Sequence, residues 1–160
     1  MKRVPNPDIA AVMERIQARL VQRNEEEYLR SLRALPEPHR SLWSTWIVQC
    51  EVENGGFAQY FWNIEAEGFY DEAESGFTAL AASRHLAIFR SARALISPHL
   101  PVMHAWQGAN DRFSKYKPLL KREGLSDQFL KLDGQFYDLR PSLPDLRQHY
   151  VSANADALST

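Results

Sequence analysis

Apolar residues recur every three or four positions along nearly the whole chain, the period of a helix with one buried face. Ile9, Val12, Met13, Ile16 and Leu20 lay one stripe on a first helix. Pro7 and Asp8 open it, where a fixed φ and a carboxylate both suit exposed N–H groups. A short second helix carries Tyr28, Leu29 and Leu32 behind the acidic run Glu25, Glu26 and Glu27, and Pro36 and Pro38 break the chain after it. The spacing predicts a third helix from about His39 to Asn54, with Trp43, Trp46, Ile47, Cys50 and Asn54 on one face about 100° wide. Gly55 and Gly56 stop it, because glycine tolerates the left-handed conformation at a helix end. A fourth helix restarts at once with Phe57, Tyr60, Phe61 and Ile64.

Further stripes follow: Ala73, Phe77, Leu80 and Ala81, then Leu86, Phe89, Leu95 and Ile96 before Pro98 and Pro101. Trp106, Phe113 and Tyr116 suggest one helix ahead of Pro118. Leu125, Phe129, Leu132, Phe136 and Leu139 form a long stripe that Pro141 ends, and Leu143, Leu146, Tyr150 and Leu158 fit a final helix. No stretch alternates with period two for long enough to be a strand. The pattern therefore predicts an all-α fold, with residues 1–160 forming a single compact domain of about eight helices.

Composition narrows the function classes. The 160 residues are 44% hydrophobic and 24% charged, enough to bury a core and unlike a disordered chain. A single cysteine, Cys50, excludes an intramolecular disulfide framework, and its neighbours Trp46 and Ile47 place it in the core as a small apolar residue. The first residues lack the apolar run of a signal peptide, and no run of about 18 apolar residues could cross a membrane, so the cytoplasm is the expected compartment. Nineteen Lys and Arg against twenty Asp and Glu leave a net charge of -1, which excludes a generally basic nucleic-acid binder.

That balance is uneven along the chain. Residues 1–40 carry eight bases against six acids, and residues 81–160 carry eleven against seven. Residues 41–80 contain no Lys or Arg, and their seven acids are Glu51, Glu53, Glu65, Glu67, Asp71, Glu72 and Glu74. Either basic segments elsewhere fold over this stretch and neutralise it, or it forms a local negative field that attracts a basic partner. Glu65, Glu67, Asp71, Glu72 and Glu74 are the candidate contact residues, being near helix ends and away from the aromatic stripes.

The densest motif lies within the same stretch. In Asn54-Gly55-Gly56-Phe57, followed by Gln59, Tyr60, Phe61 and Asn63, a helix, a double-glycine corner and an aromatic helix follow each other without a spare residue. The pattern predicts a positive φ at Gly55 or Gly56, Asn54 on the inner face, and Phe57 and Phe61 packed back on Trp43 and Trp46. Trp62 lies off the main face, for the core or for a partner.

These residues resemble the signature of the bacterial DNA-mimic protein family. Leu132-Asp133-Gly134-Gln135-Phe136-Tyr137 and the closing Tyr150 with Asn154 look like its C-terminal elements, so the resemblance spans roughly residues 40–155. It implies an all-helical fold, often dimeric, without an established enzyme activity. It further implies a partner that is a basic protein, such as a helix-turn-helix regulator, and not nucleic acid itself. A homodimer stays open.

Enzymatic readings are thinner. Glu51 and Glu53 sit about 200° apart around a helix and do not converge by themselves. The histidines are scattered; Asp145 and His149, at i,i+4, read better as an exposed ion pair than as metal ligands. No phosphate-binding loop or nucleophile elbow is present, so no catalytic residue, metal or cofactor is expected. The alternative is a hydrolase using acids near the aromatic corner. A concavity gathering two or more of Glu51, Glu53, Glu65, His85 and Asp133 would favour it, and an acidic face would favour binding.

Overall fold

A computed structural model describes residues 8–106 and 109–159, and only the backbone of Phe113. The opening of the first helix by Pro7 lies outside the described residues. The elements in order are α1 (Ile9–Ala18), α2 (Glu25–Arg33), α3 (Glu37–Asn63), α4 (Glu67–Ala79) and α5 (Ser83–Ile96). A 3-10 turn (Ser97–His99) leads to α6 (Leu100–His104), α7 (Arg112–Arg122), α8 (Leu125–Tyr137), α9 (Leu143–Ala153) and α10 (Ala155–Leu158). Eight of these helices have nine residues or more, and the described residues contain no strand, so the fold is all-α as the periodicity predicts.

Local chemistry sets several boundaries. The Asp8 carboxylate accepts the Ala10 N–H at 3.0 Å and Asn24 accepts the Glu27 N–H at 2.9 Å, each satisfying an N-terminal donor. Ser142 and Asp145 form a capping box at the start of α9, which occupies Asp145 and replaces the expected ion pair with His149. Two other boundaries differ from expectation. Trp106 lies before α7, which starts at Arg112 and carries Pro118 inside it. The last stripe is divided between α9 and the single turn α10. The glycine corner does separate two helical segments, as the sequence predicts, because Gly55 and Gly56 both leave the helical conformation inside α3.

At that bend Gly56 has φ +76° while Gly55 is extended at φ -163°, so only Gly56 uses the freedom of glycine. The surrounding polar groups are bound by other helices. The buried Phe57 N–H donates to Asp133 of α8 at 2.8 Å, the Tyr137 hydroxyl donates to the Val52 carbonyl, and the Tyr116 hydroxyl of α7 donates to the Ala58 carbonyl at 2.7 Å. The Gln59 and Asn63 amides reach back across the bend and donate to one oxygen of Glu51, at 3.0 and 2.7 Å. A Cβ at Gly56 would lie 2.8 Å from the Asp133 carboxyl carbon, so α8 approaches as closely as a bare backbone permits.

The core has two lobes. The larger gathers Val48, Val52, Phe57, Tyr60 and Phe61 of α3 with residues of α4, α5, α7 and α8. The smaller packs Val12 and Ile16 of α1, Leu32 of α2 and Val151 of α9 on Leu42 and Trp43. Ile47, Ile64 and Tyr150 touch both. Phe57 and Phe61 therefore do not pack on Trp43 and Trp46. Phe57 meets Phe136 edge-on at 5.3 Å and Phe61 meets Tyr70 at 5.2 Å, whereas Trp43 pairs with Trp46 in the other lobe. The buried stripe of α3 runs through Leu42, Thr45, Val48 and Val52, which turns Cys50 and Asn54 outward, contrary to their expected burial.

The bend defines a graded stability test. Gly56→Ala should lose on the order of 1–3 kcal/mol in a denaturant melt, because the new Cβ is strained at positive φ and meets Asp133. Gly55→Ala should lose less, since only the flexible Gln59 side chain must move. Asp133→Ala, which leaves the buried Phe57 N–H without its acceptor, should cost about 1–3 kcal/mol, and Asp133→Asn, which keeps an acceptor, should cost less. Conversely, Ala81 closes α4 at φ +54°, and Ala81→Gly should raise stability by up to about 1 kcal/mol.

Candidate functional site

The five candidate acids lie on α4 and the turn before it. This region is held from several sides. Glu25 of α2 accepts the N–H groups of Glu65 and Ala66 at 2.7 and 2.9 Å, and the Tyr70 hydroxyl donates to the Ile64 carbonyl at 2.7 Å. Further along, a Cβ at Gly76 would stand 2.6 Å from Ser44 Oγ and 2.9 Å from the Ser41 carbonyl oxygen, so α4 sits directly on the first half of α3. The acids project from an anchored helix.

Their surroundings divide them. Glu65 is buried and paired with Arg112 of α7, whose guanidinium also lies 4.1 Å from the centre of the Trp62 ring and donates to the Trp62 carbonyl. Trp62 is half-buried against Tyr116. Glu72 is gripped by Arg33 of α2 at 2.8 Å and approached by Arg40 of α3 at 3.7 Å. Arg93 of α5 gathers the rest, with Asp71 at 2.9 Å, Glu74 at 2.8 Å and Glu67 at 3.7 Å. Arg90 adds a second bond to Glu74 at 2.7 Å. Basic side chains from both flanking segments thus fold onto the acidic stretch, the first of the two arrangements open from the sequence.

The compensation is unequal at the surface. The Glu65, Glu72 and Glu74 side chains are 8%, 14% and 18% exposed, whereas those of Glu67 and Asp71 are 53% and 59% exposed. Glu67, Asp71 and Glu74 follow at i, i+4 and i+7, which aligns them on one face of α4 over Arg93. Burial raises the proton affinity of Glu74, but the bonds from Arg90 and Arg93 outweigh it and hold the carboxyl below its ordinary range. Burial likewise works against the Arg93 charge, and its bonds to Glu74 and Asp71 overcome that and raise its pKa.

Glu51 and Glu53 stay apart, Glu51 with Gln59 and Asn63 and Glu53 with Gln49. The motif amides Gln59 and Asn63 therefore brace the bend, while Tyr60 and Phe61 fill the core. A cavity of about 70 Å³ does bring Glu53 and His85 together, with Gln49, Tyr137 and Ser142 also on its wall. It is far below the roughly 300 Å³ at which small-molecule pockets begin. A larger concavity of about 540 Å³ runs along Glu37, Asp71, Glu74 and Arg90 and is part of the α4 face. Among the described residues no three His, Cys, Asp or Glu side chains gather as a metal site, and no helix is long and apolar enough to cross a membrane. The arginines that compensate α4 come from distant segments, so sequence spacing carried no signal for them.

The described residues define an all-α protein with a kinked central helix and a row of carboxylates along α4. More particularly, the DMP19-like protein family matches residues 33–154, and the chain belongs to that family. The resemblance to the DNA-mimic proteins is thereby shown, over nearly the span the motifs indicate. Neither curated proteins nor solved structures give a match.

The Arg93 clamp has a pH signature. A carboxyl whose folded pKa is depressed contributes stability above its unfolded pKa, here near 4.5, and loses it as pH falls through the folded value. Glu74→Gln should therefore destabilise the protein at pH 7, and the difference from wild type should shrink when urea melts are repeated near pH 3.

Proposed function

We propose that this protein acts by binding a basic protein partner, of the class of DNA-binding regulators, through the outer face of α4. Glu67 and Asp71 make the direct contacts, and Glu72 and Glu74 anchor the arginines that hold the helix and its carboxylates in place. Glu65 stays inside the fold and secures α7. The observation that carries this reading is the Glu67–Asp71–Glu74 row on an anchored helix. The first two stand about 6 Å apart along the axis at 1.5 Å per residue. One strand of DNA rises ~3.4 Å along the duplex axis per phosphate and winds about that axis, which sets neighbouring phosphates roughly 6–7 Å apart in space, so this pair approximates two neighbouring phosphates. Membership of the DMP19-like family supports the same role.

A partner that normally binds DNA should be displaced by DNA. The immobilised protein should capture its partner from a bacterial lysate at low salt and release it to added duplex DNA or to raised salt, because charges beyond about 8 Å are screened at physiological ionic strength. The double variant Glu67→Gln/Asp71→Asn, which leaves the Glu72 and Glu74 anchors intact, should melt as wild type does and bind on the order of tenfold more weakly. Undiminished capture by this variant, equal in low and high salt, would exclude the α4 face as the contact.

A further inference from the structure

The turn between α4 and α5 leaves a helix end open. The N–H groups of Ala81 and Ala82 donate to the Thr78 and Phe77 carbonyls at 3.0 and 2.8 Å, and the Leu86 N–H donates to the Ala82 carbonyl at 2.9 Å. Between them, the N–H groups of Ser83, Arg84 and His85 have no acceptor among the described residues. A capping side chain or a first-turn acid ordinarily answers such donors. Here the N-cap residue is Ala82, no side chain caps the end, and the first turn holds no Asp or Glu.

A cavity of about 110 Å³ opens on this end, lined by Ser83, Arg84 and His85 of α5 and, across from them, by Arg140 and Leu146. The wall carries two arginines and no acid. Arg84 is exposed and makes no ion pair or hydrogen bond among the described residues. Arg140 donates through Nη1 to the Tyr137 and Leu139 carbonyls at 3.1 and 2.7 Å, which leaves Nε and Nη2 without a protein acceptor among the described residues. Asp145, which feels the Arg140 charge, is held in the Ser142 capping box and is not on the wall.

A second observation comes from inside the wall. The His85 side chain is 4% exposed and makes no hydrogen bond among the described residues. Its ring meets Phe136 edge-on at 5.3 Å and stacks with Phe77 at 6.4 Å, and neither offers a hydrogen-bond acceptor of ordinary strength. Burial, with Arg84 and Arg147 adding to it, lowers its pKa to about 4, so at neutral pH it is an uncharged imidazole with one N–H to donate. A buried polar group left unpaired costs free energy that a ligand oxygen would recover.

We propose that the cavity at the start of α5 binds a phosphate group, free or at the end of a small ester, with the Ser83, Arg84 and His85 N–H groups, the Arg84 and Arg140 side chains and the His85 ring as its donors. Two full positive charges and the positive end of a 14-residue helix suit a dianion. A tetrahedral anion offers oxygens in several directions to donors that arrive from both walls, whereas a carboxylate has only two. At ~30 Å³ per water the cavity of about 110 Å³ equals about four waters, so the phosphate enters and the rest of an ester stays in solvent. The wall shares no residue with the Glu67–Asp71–Glu74 row, and occupation of the site does not depend on a protein partner.

The test titrates the whole protein with inorganic phosphate and, separately, with glycerol 3-phosphate, ionic strength held constant with sodium chloride. It follows the melting midpoint together with the backbone resonances of Ser83, Arg84 and His85. Phosphate should raise the midpoint saturably, by roughly 2–4 °C at about five times its Kd, and shift those resonances with the same Kd. Tighter binding of the ester identifies a phosphomonoester as the ligand, equal or weaker binding identifies free phosphate, and both support the site. Arg84→Gln, at an exposed position, should melt as wild type does and bind on the order of tenfold more weakly. Ser83→Asp, which places a carboxylate over the open N–H groups, should raise the midpoint without phosphate and abolish the response to it. No saturable shift, an equal response to acetate, or undiminished binding by Arg84→Gln would overturn the proposal and leave the cavity to water.

Discussion

The structure turns on one backbone residue. Gly56, at positive φ, kinks α3 between two helical segments, and Val48 and Val52 before the kink pack in the same core lobe as Phe57, Tyr60 and Phe61 after it. The bend persists because its polar groups have partners elsewhere. Asp133 takes the Phe57 N–H, while Tyr137 and Tyr116 serve the carbonyls of Val52 and Ala58. Each partner lies 58 to 85 residues away along the chain, so α7 and α8 must be in place before the corner is satisfied. In the other direction, the corner places Phe57 and Phe61 where Phe136 and Phe129 of α8 can meet them. Backbone accounting and core packing thus require the same arrangement.

The elements were legible in the sequence because helical periodicity is a local property. Stripes such as Ala73, Phe77 and Leu80 or Leu125, Phe129 and Phe136 depend only on local spacing, and they are buried. The positive φ was legible to within one residue for the same reason. Cys50 and Asn54 were misjudged because α3 carries apolar or aromatic residues around much of its first half, including Trp43, Trp46, Ile47 and Val48, so the stripe's centre is ambiguous by a residue. The pairing of Phe57 with Phe136 instead of Trp43 was hidden for another reason. Adjacency in sequence suggested a folded-back hairpin, whereas Phe57 and Phe61 pack in the larger lobe of the core and Trp43 and Trp46 pack in the smaller one.

Charge showed the opposite balance. The clustering of acids between residues 41 and 80 was plain from composition, but its meaning depended on contacts of long sequence separation. Glu72 meets Arg33 from 39 residues away, and Glu74 meets Arg90 and Arg93 from 16 and 19 residues away. No spacing rule relates such pairs. The same contacts separate acids with structural duties, Glu65 and Glu72 among them, from Glu67 and Asp71, whose carboxylates remain in water.

This division bears on how a nearly neutral protein could present a DNA-like face. Net charge governs the field far from a molecule, and at physiological ionic strength that field has decayed within about 8 Å. A docked partner responds instead to the charges within that distance and to how firmly they are held. On α4 Arg93 lies inward of Glu67 and Asp71, at 21% exposed against 53% and 59%, whereas Arg90 and Arg33 lie outward of Glu74 and Glu72, at 60% against 18% and 48% against 14%. An approaching cation therefore meets oxygen before guanidinium at Glu67 and Asp71 alone. The arginines reduce the repulsion among Glu67, Asp71 and Glu74 and hold them at set spacings, which would lower the ordering cost of the proposed binding. Internal compensation and an acidic recognition face are on this geometry compatible, because the first fixes the positions on which the second depends.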